Sequence, residues 1–115
     1  MLNGKIWGKT EIIIKTPTME LHRLSINPNS HCSMHKHEFK HNCFMISTGK
    51  LFIETQKNDY PLVDITELGP GDVTTVAPNE FHRFVTKDEG CTGFEAYYLE
   101  PLSEDIIRKD VGGKA

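Results

Sequence analysis

This sequence is poor in the features that usually announce a function. It has three cysteines, Cys32, Cys43 and Cys91, an odd number with no Cys-x-x-Cys pair, which argues against a disulfide framework. Each reads as a half-buried free thiol, with Cys32 or Cys43 beside a histidine as the catalytic alternative. P-loop, GxGxxG, GxSxG and HExxH patterns are all absent. No apolar run approaches the ~18 residues of a membrane span, and the first residues lack a signal peptide's charged-then-apolar order. The chain is therefore expected in the cytoplasm, away from membranes. Thirteen basic residues stand against 16 acidic ones, for a net charge of −3. The basic residues are scattered, so no nucleic-acid partner is expected either. There is no internal repeat, linker or low-complexity tract. Residues 1–115 read as one domain, long enough to fold on its own core.

What is present is a succession of short β-branched and aromatic runs, cut by turn residues about every ten positions. "EIIIK" (11–15) ends at Pro17. "MELHRLSI" (19–26) alternates, with Met19, Leu21 and the stem of Arg23 on one face and His22, Leu24 and Ile26 on the other. "CFMIS" (43–47) and "KLFIET" (50–55) are joined by "TG" at 48–49, which reads as a hairpin because Gly49 can adopt positive φ. "LVDITEL" (62–68), "VTTVA" (73–77), "FHRFVT" (81–86) and "GFEAYYLE" (93–100) follow, separated by "GPGD", "PNE" and "KDEG". About eight strands with turns throughout indicate an all-β sandwich or barrel. The phenylalanines and tyrosines lie at strand spacing and read as core. A helix is expected over 103–111, with Ser103 as N-cap, acidic residues in its first turn and Gly112 or Gly113 as its stop.

Three of the six histidines, His35, His37 and His41, fall within "SMHKHEFKHNC" (33–43). On an extended chain His35 and His37 share a face, with Cβ atoms ~7 Å apart, so both imidazoles can reach one ion. A third ligand must come from elsewhere. His82, just after the "PNE" turn on an alternating strand, is the candidate. Neutral imidazoles suit zinc, nickel, iron, manganese or copper.

The spacing around these histidines resembles the cupin superfamily, a small antiparallel β-barrel. Its first motif, G-x5-H-x-H-x3–4-E-x6-G, is similar to Asn29-x5-His35-x-His37-x4-Asn42-x6-Gly49. Its second, G-x5-P-x-G-x2-H, is similar to Gly71-x5-Ala77-Pro78-Asn79-Glu80-Phe81-His82. Asn29 and Asn79 stand where the family has glycine, and asparagine is the non-glycine residue most tolerant of left-handed backbone. "IWGKTE" (6–11), "MHKHEFKH" (34–41) and "EDIIRKDVGG" (104–113) resemble, in that order, features of the mannose-6-phosphate isomerase-type cupins.

The resemblance implies a single cupin barrel (a double-stranded β-helix, or jelly roll) with a short C-terminal helix. It further implies a homodimer whose N-terminal segment, 1–17, lies at the seam, with Trp7 at the barrel end or across that seam. A divalent transition metal (zinc, nickel, iron or manganese) would be held by His35, His37 and His82. The family's fourth ligand is a carboxylate, and here Asn42 occupies its place, with His41 and then Glu38 as substitutes. The ligand implied is a small molecule, a sugar or sugar phosphate, and the activity an isomerase or epimerase. Such chemistry needs a base to move a proton, for which Glu54, Glu95 and unbound histidines, His41 among them, are the candidates. A non-catalytic carbohydrate-binding module and an iron-dependent oxygenase are the alternatives.

Overall fold

The computed structural model describes residues 2–56, 62–99 and 106–114. Nine strands lie within them: β1 (Leu2–Lys5), β2 (Gly8–Thr16), β3 (Met19–Ile26), β4 (His41–Gly49), β5 (Leu51–Gln56), β6 (Asp64–Leu68), β7 (Val73–Val76), β8 (Phe81–Val85) and β9 (Cys91–Tyr98). They form a six-stranded sheet, β1-β2-β3-β9-β4-β7, and a three-stranded sheet, β6-β5-β8. Every strand pairing is antiparallel. Alternation decides which side chains meet between the sheets. Leu24 and Ile26 of β3, Phe44 and Ile46 of β4, and Cys91 of β9 bury against Leu51 and Ile53 of β5, Leu68 of β6 and Phe84 of β8. Burying each of the larger aliphatic or aromatic side chains contributes roughly 1.5–3 kcal/mol. Trp7 closes one end of this core, its ring edge-on to Phe84 at 4.8 Å between centroids.

Four expectations need correction. The chain begins with an additional strand, β1, which "LNGK" hardly signals; its register against β2 runs from Leu2↔Glu11 to Lys5↔Gly8. The "TG" at 48–49 is not a hairpin, because both sides of β4 are taken by β9 and β7. Gly49 (φ 79°) instead turns the chain across into the other sheet. A Cβ there would lie 2.0 Å from the Gly90 carbonyl oxygen, so no other residue fits the crossing.

The helix expected over 103–111 is not formed by residues 106–114, and 103–105 lie outside the described residues. Ile107 is 100% and Val111 95% exposed, so no apolar face is buried, and a helix this short is marginal without such packing. Finally, the described strands form two facing sheets rather than a closed ring. The smaller sheet is extended only by isolated bridges from the segment after β3, at His31↔Val85 and His35↔His82.

Both asparagines at the glycine positions of the spacing pattern have left-handed backbone, Asn29 at φ 52° and Asn79 at φ 65°, alone among the described non-glycine residues. Asn29 turns the chain into the segment that carries His35 and His37, and Asn79 turns it into β8, which carries His82.

Candidate metal centre

The segment between β3 and β4 runs along the free edge of β8. His35 and His82 exchange both backbone hydrogen bonds, His35 N to His82 O at 3.0 Å and His82 N to His35 O at 2.8 Å. The Asn79 amide donates to the His37 carbonyl at 2.8 Å. These bonds hold the three imidazoles together, with ring centroids 4.6 Å (His35–His82), 5.1 Å (His35–His37) and 5.7 Å (His37–His82) apart. One ligating nitrogen from each lies within 4.8 Å of the others, a set that could hold a metal ion.

The tautomers suit that use. Nδ1–H of His35 donates to the Ser33 carbonyl at 2.7 Å, and Nδ1–H of His82 donates to the Glu80 carbonyl at 3.0 Å. Each bond places the proton on Nδ1 and leaves Nε2 as a lone pair. Nε2 of His37 and Nε2 of His82 are buried with no hydrogen-bond partner, a costly state unless something occupies them. Burial, then the neighbouring His35 and His82 and finally Lys40, push His37 down to about 4. Burial likewise lowers His82. At neutral pH both rings are therefore uncharged, as ligation requires.

The opposite wall comes from β3, β4 and β9. Asn42 is 1% exposed; its Nδ2 donates to Glu95 Oε2 at 2.7 Å, while its Oδ1 is buried without a partner. Glu95 also accepts a hydrogen bond from Tyr97. Burial pushes its carboxyl up to about 7, against the pull of those two donors. The Tyr97 phenol is raised too, by burial and by Glu95. Its ring meets His37 edge-on at 5.3 Å and His22 at the same distance. A cavity of about 310 Å³ separates the walls, bordered by His22, His35, Glu95, Tyr97, Trp7 and Phe44 among others.

Other expected residues lie elsewhere. His41 pairs with Tyr98 in the β4–β9 register, on the strand face opposite Asn42, and stacks on the Tyr98 ring at 5.2 Å. It is not brought to the cluster. Glu38 is exposed. Glu54 alternates away from buried Ile53 and Thr55 and accepts from Arg83 Nε at 2.7 Å, so it faces outward as half of an ion pair.

Burial disfavours the thiolate form at all three cysteines. Burial raises Cys32 and Cys91 to about 11 and also raises Cys43, and Cys32 Sγ accepts the Phe84 amide. Two residues of the cavity escaped the sequence reading, His22 and Tyr97. Their signal was phase. Each alternates in step with apolar core positions, as a polar group facing inward.

No family model and no curated protein matches the sequence. Solved structures do match the fold. KdgF from Halomonas sp. is similar at a TM-score of 0.73 and 14% identity, over 88% of this chain and 89% of that one. The capsular polysaccharide assembling protein CapF from Staphylococcus aureus is similar at 0.77 and 16%, over 87% of this chain but only 29% of that one. A cupin superfamily protein from Desulfitobacterium hafniense is similar at 0.67 and 13%, over 79% and 76%. The chain thus has a cupin fold, and its three-histidine cluster could hold a metal ion.

Proposed function

We propose that this protein is a metal-binding cupin that acts on a sugar or sugar phosphate as an isomerase or epimerase, akin to the mannose-6-phosphate isomerase-type cupins. The observation that carries the reading is the triad of ligating nitrogens within 4.8 Å, two of them with tautomers set by backbone carbonyls. His35, His37 and His82 would hold a divalent transition metal such as zinc, nickel, iron or manganese, and Asn42, whose Oδ1 is buried and unpartnered, would be the fourth donor. When bound, the metal would polarise a carbonyl or hydroxyl oxygen of the ligand.

Of the two candidate carboxylates, Glu95 borders the cavity and Glu54 faces Arg83 instead. With its carboxyl near 7, it is suited to accept and return a proton at neutral pH. Tyr97 and Asn42 orient it. The likeness to a polysaccharide-assembling protein supports a carbohydrate ligand. A homodimer across β1, the outermost strand of the larger sheet, and a cytoplasmic setting complete the reading.

A non-catalytic carbohydrate-binding module is the second reading. It is favoured by Asn42, which brings no negative charge to the shell and cannot serve as a base. Elemental analysis of protein purified without a metal-affinity tag tests the centre. Stoichiometric metal in the wild type and none in His82→Ala is expected, and iron would turn attention to oxygenase chemistry. Absence of metal from the wild type would sink the proposal. A panel of sugars and sugar phosphates, with Glu95→Gln as control, then separates turnover from binding alone.

A further inference from the structure

A second cavity, of about 390 Å³, opens beside the first where the β2–β3 turn meets the end of β9. Its lining includes Lys15, Thr16, Thr18, Glu20, Lys40 and Tyr97. Tyr97 also borders the inner cavity, so the two cavities meet at this residue. Lys40 holds its ammonium 5.5 Å from the centre of that ring, and the ring's centre is 5.3 Å from that of His37.

The two lysines differ in what neutralises them. Lys15 Nζ lies 3.7 Å from Glu20 Oε1, and the other Glu20 oxygen is 3.5 Å from His22 Nε2. Lys40 has no carboxylate partner among the described residues. The Thr16 hydroxyl is occupied by the turn itself, donating to Met19 O and accepting from Thr18 N at 3.3 Å each. The cavity therefore presents one uncompensated cation, a hydroxyl from Thr18, and a carboxylate already claimed by Lys15.

We infer that this outer cavity is the subsite for an anionic group, phosphate or carboxylate, on the ligand whose body lies in the inner cavity, with Lys40 as its counter-ion. The inference rests on the proposed function for what fills the inner cavity, and it selects the charged members of that ligand class over neutral sugars. An anion here meets a full positive charge at a partly enclosed surface. The Glu20 carboxylate opposes it and sets an upper limit on the affinity.

The test is nuclear magnetic resonance titration of metal-free and metal-loaded protein with inorganic phosphate, glucose 6-phosphate, glucuronate and glucose. Amide shifts over residues 15–20, Lys40 and 97–99 should respond to the anions and not to glucose. The phosphate and glucuronate arms tell which anion the subsite prefers. Lys40→Gln should weaken anion binding about tenfold, as loss of a charge-assisted contact does. Glu20→Gln should tighten it, and opposite signs from two surface changes cannot both come from misfolding.

Equal response to glucose, anion binding indifferent to Lys40→Gln, or no shift with any probe at millimolar concentration would each overturn the inference. The metal-free arm keeps this separate from the metal proposal. Phosphate bound at these residues in a protein that takes up no metal when metal is supplied would leave the subsite standing and remove the metal centre. Full metal loading without anion binding would do the reverse.

Discussion

Two clusters of polar residues lie at the inner cavity, which His35 borders from one and Glu95 and Tyr97 from the other. Burial moves their titration in opposite directions. On one side, His35, His37 and His82 are fastened through their backbones and Nδ1 atoms, and the buried lone pairs on His37 and His82 have no partner. On the other, Glu95 accepts from Asn42 Nδ2 and from Tyr97, while Asn42 Oδ1 has no partner. Burial acts on both and favours the neutral form of each. It pushes the His37 imidazole down to about 4 and the Glu95 carboxyl up to about 7. Burial thus leaves uncharged imidazoles with free lone pairs on one side and a carboxyl that titrates near neutrality on the other. Desolvation is the largest cause of both shifts.

The largest effect should come from removing a ligand. His82→Ala is expected to weaken metal binding by at least ~100-fold, since the loss exceeds that of an outer-shell partner. Glu95→Gln should leave metal affinity within about threefold. Competition against a chelator of known affinity measures both, and a similar loss in the two variants would erase the distinction between the walls.

Next is pH, followed by chemical denaturation of metal-free protein. Glu95 titrates near 4.5 when unfolded and about 7 when folded. Its contribution to stability is complete below 4.5 and is lost as pH rises to 7, by roughly 3 kcal/mol. His37 runs the other way: its ordinary value of 6.5 falls to about 4, so stability present above 6.5 is lost as pH drops toward 4. The windows overlap and the wild-type profile should be comparatively flat. Glu95→Gln should expose a loss of stability on acidification, and His37→Gln a loss on raising pH. Parallel profiles for the two variants would refute the opposition.

A smaller effect is expected at the turn that leads into β8. Asn79 at φ 65° should lose about 1 kcal/mol on substitution by alanine and little on substitution by glycine. The smallest belongs to Glu54. Glu54→Gln should cost under ~1 kcal/mol and leave metal content unchanged, because its partner among the described residues is Arg83 on the outer face.

Strand alternation and turn chemistry are local, so the chain's pattern of residues was enough to reveal eight of the nine strands, the inward phase of Asn42, and the fitness of Asn29 and Asn79 for left-handed backbone. The spacing also singled out His35, His37 and His82. Pairing is not local. Nothing in "TG" says whether β5 folds back on β4, since that depends on β9 and β7 having filled both edges. Nor do Ser103 and the two glycines after it decide a helix when no apolar surface receives Ile107 and Val111. The same holds within the site. Glu54 and Glu95 look alike as strand carboxylates, and His22 and His41 look alike as strand histidines. Only the assembly of the sheets, by giving one of each pair to Arg83 or Tyr98 and the other to the cavity, makes them different.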